Sequence, residues 1–145
     1  MRVTFLGTGG AGGVPTVSGG WMKCDPNDSR NLRRRPSILV EDGEARLLVD
    51  TGPDLRSQLL DAGVRELSAV LYTHPHADHL HGLDDLREIN RAMKRPLPIH
   101  GNAHTIGEIE DRFAYAVKPP KEGYIWRPML VPQVIDDRLD PRDEP

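Results

Sequence analysis

His74-Pro75-His76-Ala77-Asp78-His79 is the stretch on which the reading of this chain turns. Four of its six residues carry side chains able to ligate a metal. It follows an apolar run, Ala69-Val70-Leu71-Tyr72-Thr73, and precedes a segment of helical periodicity. Side chains alternate along an extended backbone, so two histidines two positions apart at a strand end point the same way. After the turn, Asp78 and His79 aim at a second point nearby. Neutral imidazole and carboxylate suit zinc, iron or manganese. A solvated histidine-rich loop would need neither the apolar run nor the proline and aspartate in this order.

Outward from the motif, the surroundings read as short elements punctuated by 14 glycines and 13 prolines. Val3, Phe5 and Leu6 form a first strand. Ser37–Val40 and Ala45–Val49 are β-rich runs separated by Glu41-Asp42-Gly43-Glu44, a hairpin signal. Asp54 opens a short helix with Leu55, Leu59 and Leu60 on one face, and Gly63 ends it. Leu67–Thr73 is a strand leading into the motif. Leu83, Leu86, Ile89 and Met93 recur at helical spacing, predicting a helix over 82–94. Leu97–Ile99 is a short strand, Thr105–Val117 a helix, and 124–135 an extended segment. Strands come first as a meander and then alternate with helices, so the expected fold class is α/β (α+β), a mixed sheet with helices on one face.

Composition narrows the function classes. The chain has 145 residues, enough for one domain with a core of its own. No stretch approaches the ~20 apolar residues of a membrane span, so no membrane role is expected. The net charge of −3 gives no general attraction to nucleic acid. The single cysteine, Cys24, excludes an internal disulfide and any zinc site made of cysteines alone, and points to a cytoplasmic setting. Residues 136–145 carry five acids and two arginines, and are read as an acidic tail, loop or disordered.

Two further clusters have competing readings. Gly7, Gly9 and Gly12 satisfy G-x-G-x-x-G after a strand, but Pro15, Gly19 and Gly20 follow where a phosphate-binding helix should start. Those glycines are better explained by close passage of two backbone segments, or by the lining of a pocket. Arg30, Arg33, Arg34 and Arg35 form a basic run. They either pair with Asp25 and Asp28 or, through Arg33, Arg34 and Arg35, bind a substrate phosphate, for which the planar guanidinium fork is suited.

The motif H-x-H-x-D-H resembles the signature of the metallo-β-lactamase fold hydrolases. The likeness extends to the opening strand with Gly7-Thr8-Gly9-Gly10, to Leu47-Leu48-Val49-Asp50-Thr51-Gly52, and to Leu71–Leu83. It is greatest to the branch with the cyclic-phosphate phosphodiesterase of phosphonate utilisation and the pyrroloquinoline-quinone biosynthesis B protein. This resemblance implies an αββα sandwich, and here its first half, over residues 1–135. It implies two divalent metal ions, zinc foremost, with manganese or iron as alternatives. His74 and His76 would hold the first ion, Asp78 and His79 the second. Asp78 would also orient the attacking hydroxide and so act in catalysis. Asp50 would sit behind these ligands and hydrogen-bond the motif loop.

The implied enzyme is a metal-dependent phosphodiesterase acting on a small phosphodiester. Other hydrolases, cofactor-biosynthesis members of the fold and a non-catalytic metal-binding or assembly fragment are the alternatives. The family draws a third histidine for the first ion, a bridging aspartate and a further histidine from later segments. Beyond the motif this chain has only His81, His100 and His104. The site is therefore expected to be incomplete, and the chain to form a homo-oligomer or to require a complementary C-terminal half.

Overall fold

The structure, a computed structural model, describes residues 1–118 and 128–135. Its framework starts from the predicted hairpin. β2 (Ser37–Asp42) and β3 (Ala45–Val49) pair antiparallel, with Gly43 in the turn at φ +58°. A left-handed backbone there favours glycine because it has no Cβ to clash. β1 (Arg2–Gly7) adds antiparallel to β2, completing the meander. Beyond β3 the direction rule changes. β4 (Ala69–Leu71), β5 (Leu97–Gly101) and β6 (Leu130–Val134) join in parallel, so the six strands lie in sequence order in one mixed sheet. Parallel neighbours require crossovers, and helices supply them: α1 (Leu55–Asp61), α2 (Ala77–Leu80), α3 (Leu86–Met93), α4 (Ala103–Arg112) and α5 (Ala114–Val117).

The helices cover one face of the sheet. Leu39, Leu48, Val70, Leu97, Ile99 and Leu130 point into a core closed by Leu55, Leu59, Leu80, Leu83, Leu86, Ile89, Ile106 and Ile109. The alternate residues point the other way, and they too are apolar. Val3 lies opposite Val40, Phe5 opposite Ile38, Val40 opposite Leu47, and Val49 opposite Leu71. No helix covers this second face among the described residues. Phe5 is 67% exposed and Val3 49%.

Several expected elements differ in detail. β4 is shorter than the expected 67–73, because Tyr72 and Thr73 leave the β3 ladder: Tyr72 N–H donates to the His100 carbonyl and Thr73 N–H to the Asp50 side chain. Leu60 is exposed rather than on the buried face of α1, since it lies 100° around the helix from Leu59. The 82–94 helix is a 3-10 turn at Leu83–Asp85 followed by α3. The 105–117 helix starts earlier, at Ala103, where the Asn102 side chain accepts from Thr105 N–H, and it breaks at Phe113. Of the expected 124–135 strand, β6 is seen, while 124–127 lie outside the described residues, as does the 136–145 tail.

Glycines set the closest approaches. A Cβ on Gly7 would collide with the Arg35 carbonyl, and one on Gly9 would lie 2.9 Å from the Arg33 and Arg34 carbonyls. The glycine-rich turn thus packs on the arginine-run backbone, and Gly9 N–H donates to Arg34 O at 2.8 Å. Gly52 is similarly pressed on the Asp78 carbonyl, and Gly82 on the Gly52 carbonyl. Gly107, within α4, has open space around it. Gly52→Ala is therefore expected to destabilise the fold by about 2–4 kcal/mol through overpacking against rigid backbone. Gly107→Ala should stabilise it by about 0.5–1 kcal/mol through helix propensity. Urea denaturation of the two variants checks both signs.

Candidate metal centre

The motif leaves the carboxyl end of β4, where Thr73 leads into the loop His74–His76 and then α2. Parallel sheets place their functional loops at this end, because the crossovers diverge there. The turn after β3 ends beside it. Asp50 N–H donates to the Leu71 carbonyl at 2.9 Å, Thr51 N–H to the His79 carbonyl at 2.7 Å, and Gly82 N–H to the Thr51 carbonyl at 2.7 Å. Residues 50–52 are thereby docked on both ends of the motif loop. Below them Tyr72, fully buried, hydrogen-bonds Thr51 at 2.9 Å, and burial pushes its phenol above the ordinary range.

Asp50 lies at the centre of this contact. It is 4% exposed and has φ +62°, a left-handed conformation that aspartate tolerates better than most residues. Its Oδ1 accepts from Thr73 N–H at 2.8 Å. Its Oδ2 accepts from the Thr73 hydroxyl at 2.8 Å and faces His79 Nδ1 at 2.8 Å. A carboxylate has no proton to give, so His79 Nδ1 is the donor, and in the neutral ring the lone pair is on Nε2. The same logic reaches His74. The Thr73 proton is directed to Asp50, so Thr73 Oγ1 accepts from His74 Nδ1, 2.9 Å away. His74 Nε2 is then also a lone-pair donor. One carboxylate fixes the tautomer of two imidazoles, an arrangement typical of metal-ligating histidines.

The structure brings His74, His76 and His79 together. The His74 ring centroid lies 4.6 Å from that of His76 and 4.1 Å from that of His79. Asp78 Oδ2 is 3.2 Å from His79 Nε2. With Nδ1 protonated, that places two electron-pair donors face to face, an arrangement that a cation or a second ring proton relieves. The donors fit a divalent cation in kind. Among the described residues, however, no group of three or more His, Cys, Asp or Glu side chains forms a set that could hold a metal ion. The contacts come as pairs.

The other candidates lie elsewhere. His81 is exposed at the end of α2, with its ring 6.0 Å from Phe113. His100 lies within β5, opposite Leu71 and Gln133. His104 is exposed in the first turn of α4, and Cys24 is a free thiol. In the arginine run, Arg30 pairs with Asp28 at 2.7 Å and holds that carboxyl below its ordinary range. Arg34 pairs with Asp61, not with the expected Asp25 or Asp28. Arg35 binds Asp54 through its side chain and its N–H, both at 2.9 Å, and also the Ala11 carbonyl. The Arg33 side chain is exposed and has no ion pair among the described residues. Sequence reasoning passed over Thr73, the link between His74 and Asp50; its place directly before the motif was the available signal.

Asp50→Asn keeps a residue that tolerates positive φ, so it tests the hydrogen bonds rather than the backbone. It should cost about 1–3 kcal/mol in urea denaturation, because an amide NH₂ then faces a donor. In ¹⁵N-detected imidazole spectra at high pH, His74 and His79 should be Nδ1–H tautomers in the parent chain and mixed in the variant.

A family model, the Beta-lactamase superfamily domain, matches residues 45–141. An octanoyltransferase from Porphyromonas gingivalis is 40% identical over 131 residues, covering 90% of this chain and 26% of that protein. A crystal structure of a diphosphatase from the PhnP family is 31% identical with a TM-score of 0.79, over 92% of this chain and 50% of that one. Zn(2+)-bound PqqB from Methylobacterium extorquens is 28% identical with a TM-score of 0.65, over 93% and 46% respectively. The chain spans about half the length of these two structures and about a quarter of the octanoyltransferase. With its mixed sheet, its one-sided helices and a match running from β3 through the motif, the chain belongs to the β-lactamase superfamily, in the metallo-β-lactamase fold family of hydrolases.

Proposed function

We propose that this chain carries part of the active site of a cytoplasmic metal-dependent phosphodiesterase. The observation that carries the reading is the wiring from Asp50 through Thr73 and His79, which turns the Nε2 lone pairs of His74 and His79 into ligands. His74 and His76 are the residues to hold one divalent ion, Asp78 and His79 the residues to hold the other. Zinc is the first choice for imidazole and carboxylate, and a Zn(2+)-bound structural relative supports it. Bound there, the ions supply Lewis acidity and a water acidified to near neutrality.

The chain's own residues do the rest. Asp50 holds both linked imidazoles in orientation through Nδ1, His79 directly and His74 through the Thr73 hydroxyl. Asp78, its carboxylate edge beside His79 Nε2, is placed to orient the attacking water as well as to ligate. Arg33 is the arginine left to meet a phosphoryl oxygen, since Arg34 and Arg35 are engaged with Asp61 and Asp54. Likeness to a diphosphatase supports phosphoryl chemistry. Likeness to PqqB keeps a cofactor-biosynthesis role as the second reading.

The open sheet face bears on assembly. Leaving a few hundred Å² of apolar surface in water forfeits several kcal/mol at ~25 cal/mol per Å². The chain is therefore proposed to work as a homo-oligomer or with a complementary half that also completes the ligand sets. Titrated with zinc against a chromophoric chelator, the isolated chain should bind weakly or with less than two ions per chain. His76→Ala should weaken that binding about tenfold or more. Hydrolysis of bis(p-nitrophenyl) phosphate with added zinc or manganese should be negligible for a monomer, as sized by light scattering. A monomer that holds two ions tightly, or turns over this diester, contradicts the half-site reading.

A further inference from the structure

His74 and His79 are each held through Nδ1, but no hydrogen bond reaches either nitrogen of the His76 ring among the described residues. The aim of His76 therefore depends on its backbone. Arg112, in the last turn of α4, reaches that backbone: its Nη1 donates to the Pro75 carbonyl at 2.9 Å, while Nη2 pairs with Glu108 one turn earlier. The Pro75 carbonyl belongs to the peptide that joins Pro75 to His76. Proline has no N–H to anchor this segment from the other side.

The residues after Arg112 continue the contact. The Phe113 ring stands edge-on to His81 at 6.0 Å, and the Tyr115 hydroxyl bonds Asp84 at 2.8 Å. Arg112, Phe113 and Tyr115 thus meet residues 75, 81 and 84 in order, and bracket most of the ligand loop. The break between α4 and α5 at Phe113, with φ −122° and ψ 35°, is what turns these neighbouring residues toward one loop.

We propose that Arg112 is a positioning residue for His76: it fixes the Pro75–His76 peptide and so sets where the His76 imidazole points. This rests on the reading of the motif as a metal site. A planar guanidinium bonds Glu108 and the carbonyl at once in fixed geometry, whereas a lysine ammonium does so without a fixed plane. The backbone carbonyl is an acceptor at any working pH, so the contact needs no titration to operate.

The test uses the full chain with Arg112→Met, which keeps an apolar stem and removes the donors, and Arg112→Lys. Amide hydrogen exchange is measured without metal, and zinc affinity by chelator competition. In Arg112→Met, exchange at the His79 and His81 amides, which bond the His76 and Ala77 carbonyls, should quicken while β2 and β3 stay unchanged, and zinc affinity should fall about tenfold. Arg112→Lys should recover affinity to within about threefold, since a donor is retained. Parent-like loop exchange and zinc affinity in Arg112→Met would overturn the proposal, as would quickened exchange spread evenly over the chain, which marks a general stability role. If the parent chain takes up no zinc, the metal reading fails instead, and local exchange at the His79 and His81 amides still decides whether Arg112 holds the loop.

Discussion

The buried carboxylate of Asp50 is the constraint around which this site is built. Burying an ionised group is costly unless hydrogen bonds replace water, and here three donors do so: Thr73 N–H, the Thr73 hydroxyl and His79 Nδ1–H. All three lie in or next to the motif. The carboxylate can only be satisfied if β3 and β4 end at the same level, which their parallel register from Leu47–Ala69 to Val49–Leu71 ensures. The left-handed backbone at Asp50 turns the chain so that Thr51 and Gly52 lie along the loop. Absence of a Cβ at Gly52 and Gly82 lets the two segments meet backbone to backbone.

The sheet is chemically two-sided. Its helix-covered face carries a leucine- and isoleucine-rich core, and its other face carries Val3, Phe5, Ile38, Val40, Leu47, Val49 and Leu71. A sheet apolar on both faces belongs in the middle of a layered structure, with something packed on each side. The candidate ligands come from the carboxyl end of this sheet, and they come in pairs. An open face and partial ligand sets agree with a chain that spans about half of its structural relatives.

The arginine run shows how one residue type serves different ends. Arg35 ties the segment before β2 to the start of α1 through Asp54, and Arg34 ties it to the end of α1 through Asp61. With Gly7 and Gly9 pressed on the carbonyls of residues 33–35, this segment, α1 and the glycine-rich turn form one support beneath the 50–52 turn. Exposed ion pairs contribute little stability singly, so the value of these contacts lies in placing backbone.

The sequence by itself determined which residues could ligate a metal and that they follow a strand, because residue type and spacing are local properties. The hairpin at Gly43 is likewise legible, since its two apolar runs and the turn residues between them are neighbours in sequence, whereas the place of Asp50 behind the ligands came only from the family resemblance. The sequence did not determine that Thr73 links His74 to Asp50, that Arg35 meets Asp54 rather than Asp25 or Asp28, or that Arg112 reaches Pro75. Those pairs are separated by 19 to 37 positions or turn on a single hydroxyl proton. The parallel pairing of β3, β4 and β5, with α4 packed on β5 and β6, brings Thr73 to Asp50 and Arg112 to Pro75, while the β2–β3 hairpin brings Arg35 to Asp54. Long-range polar contacts are set by tertiary packing, and no local pattern encodes their partners.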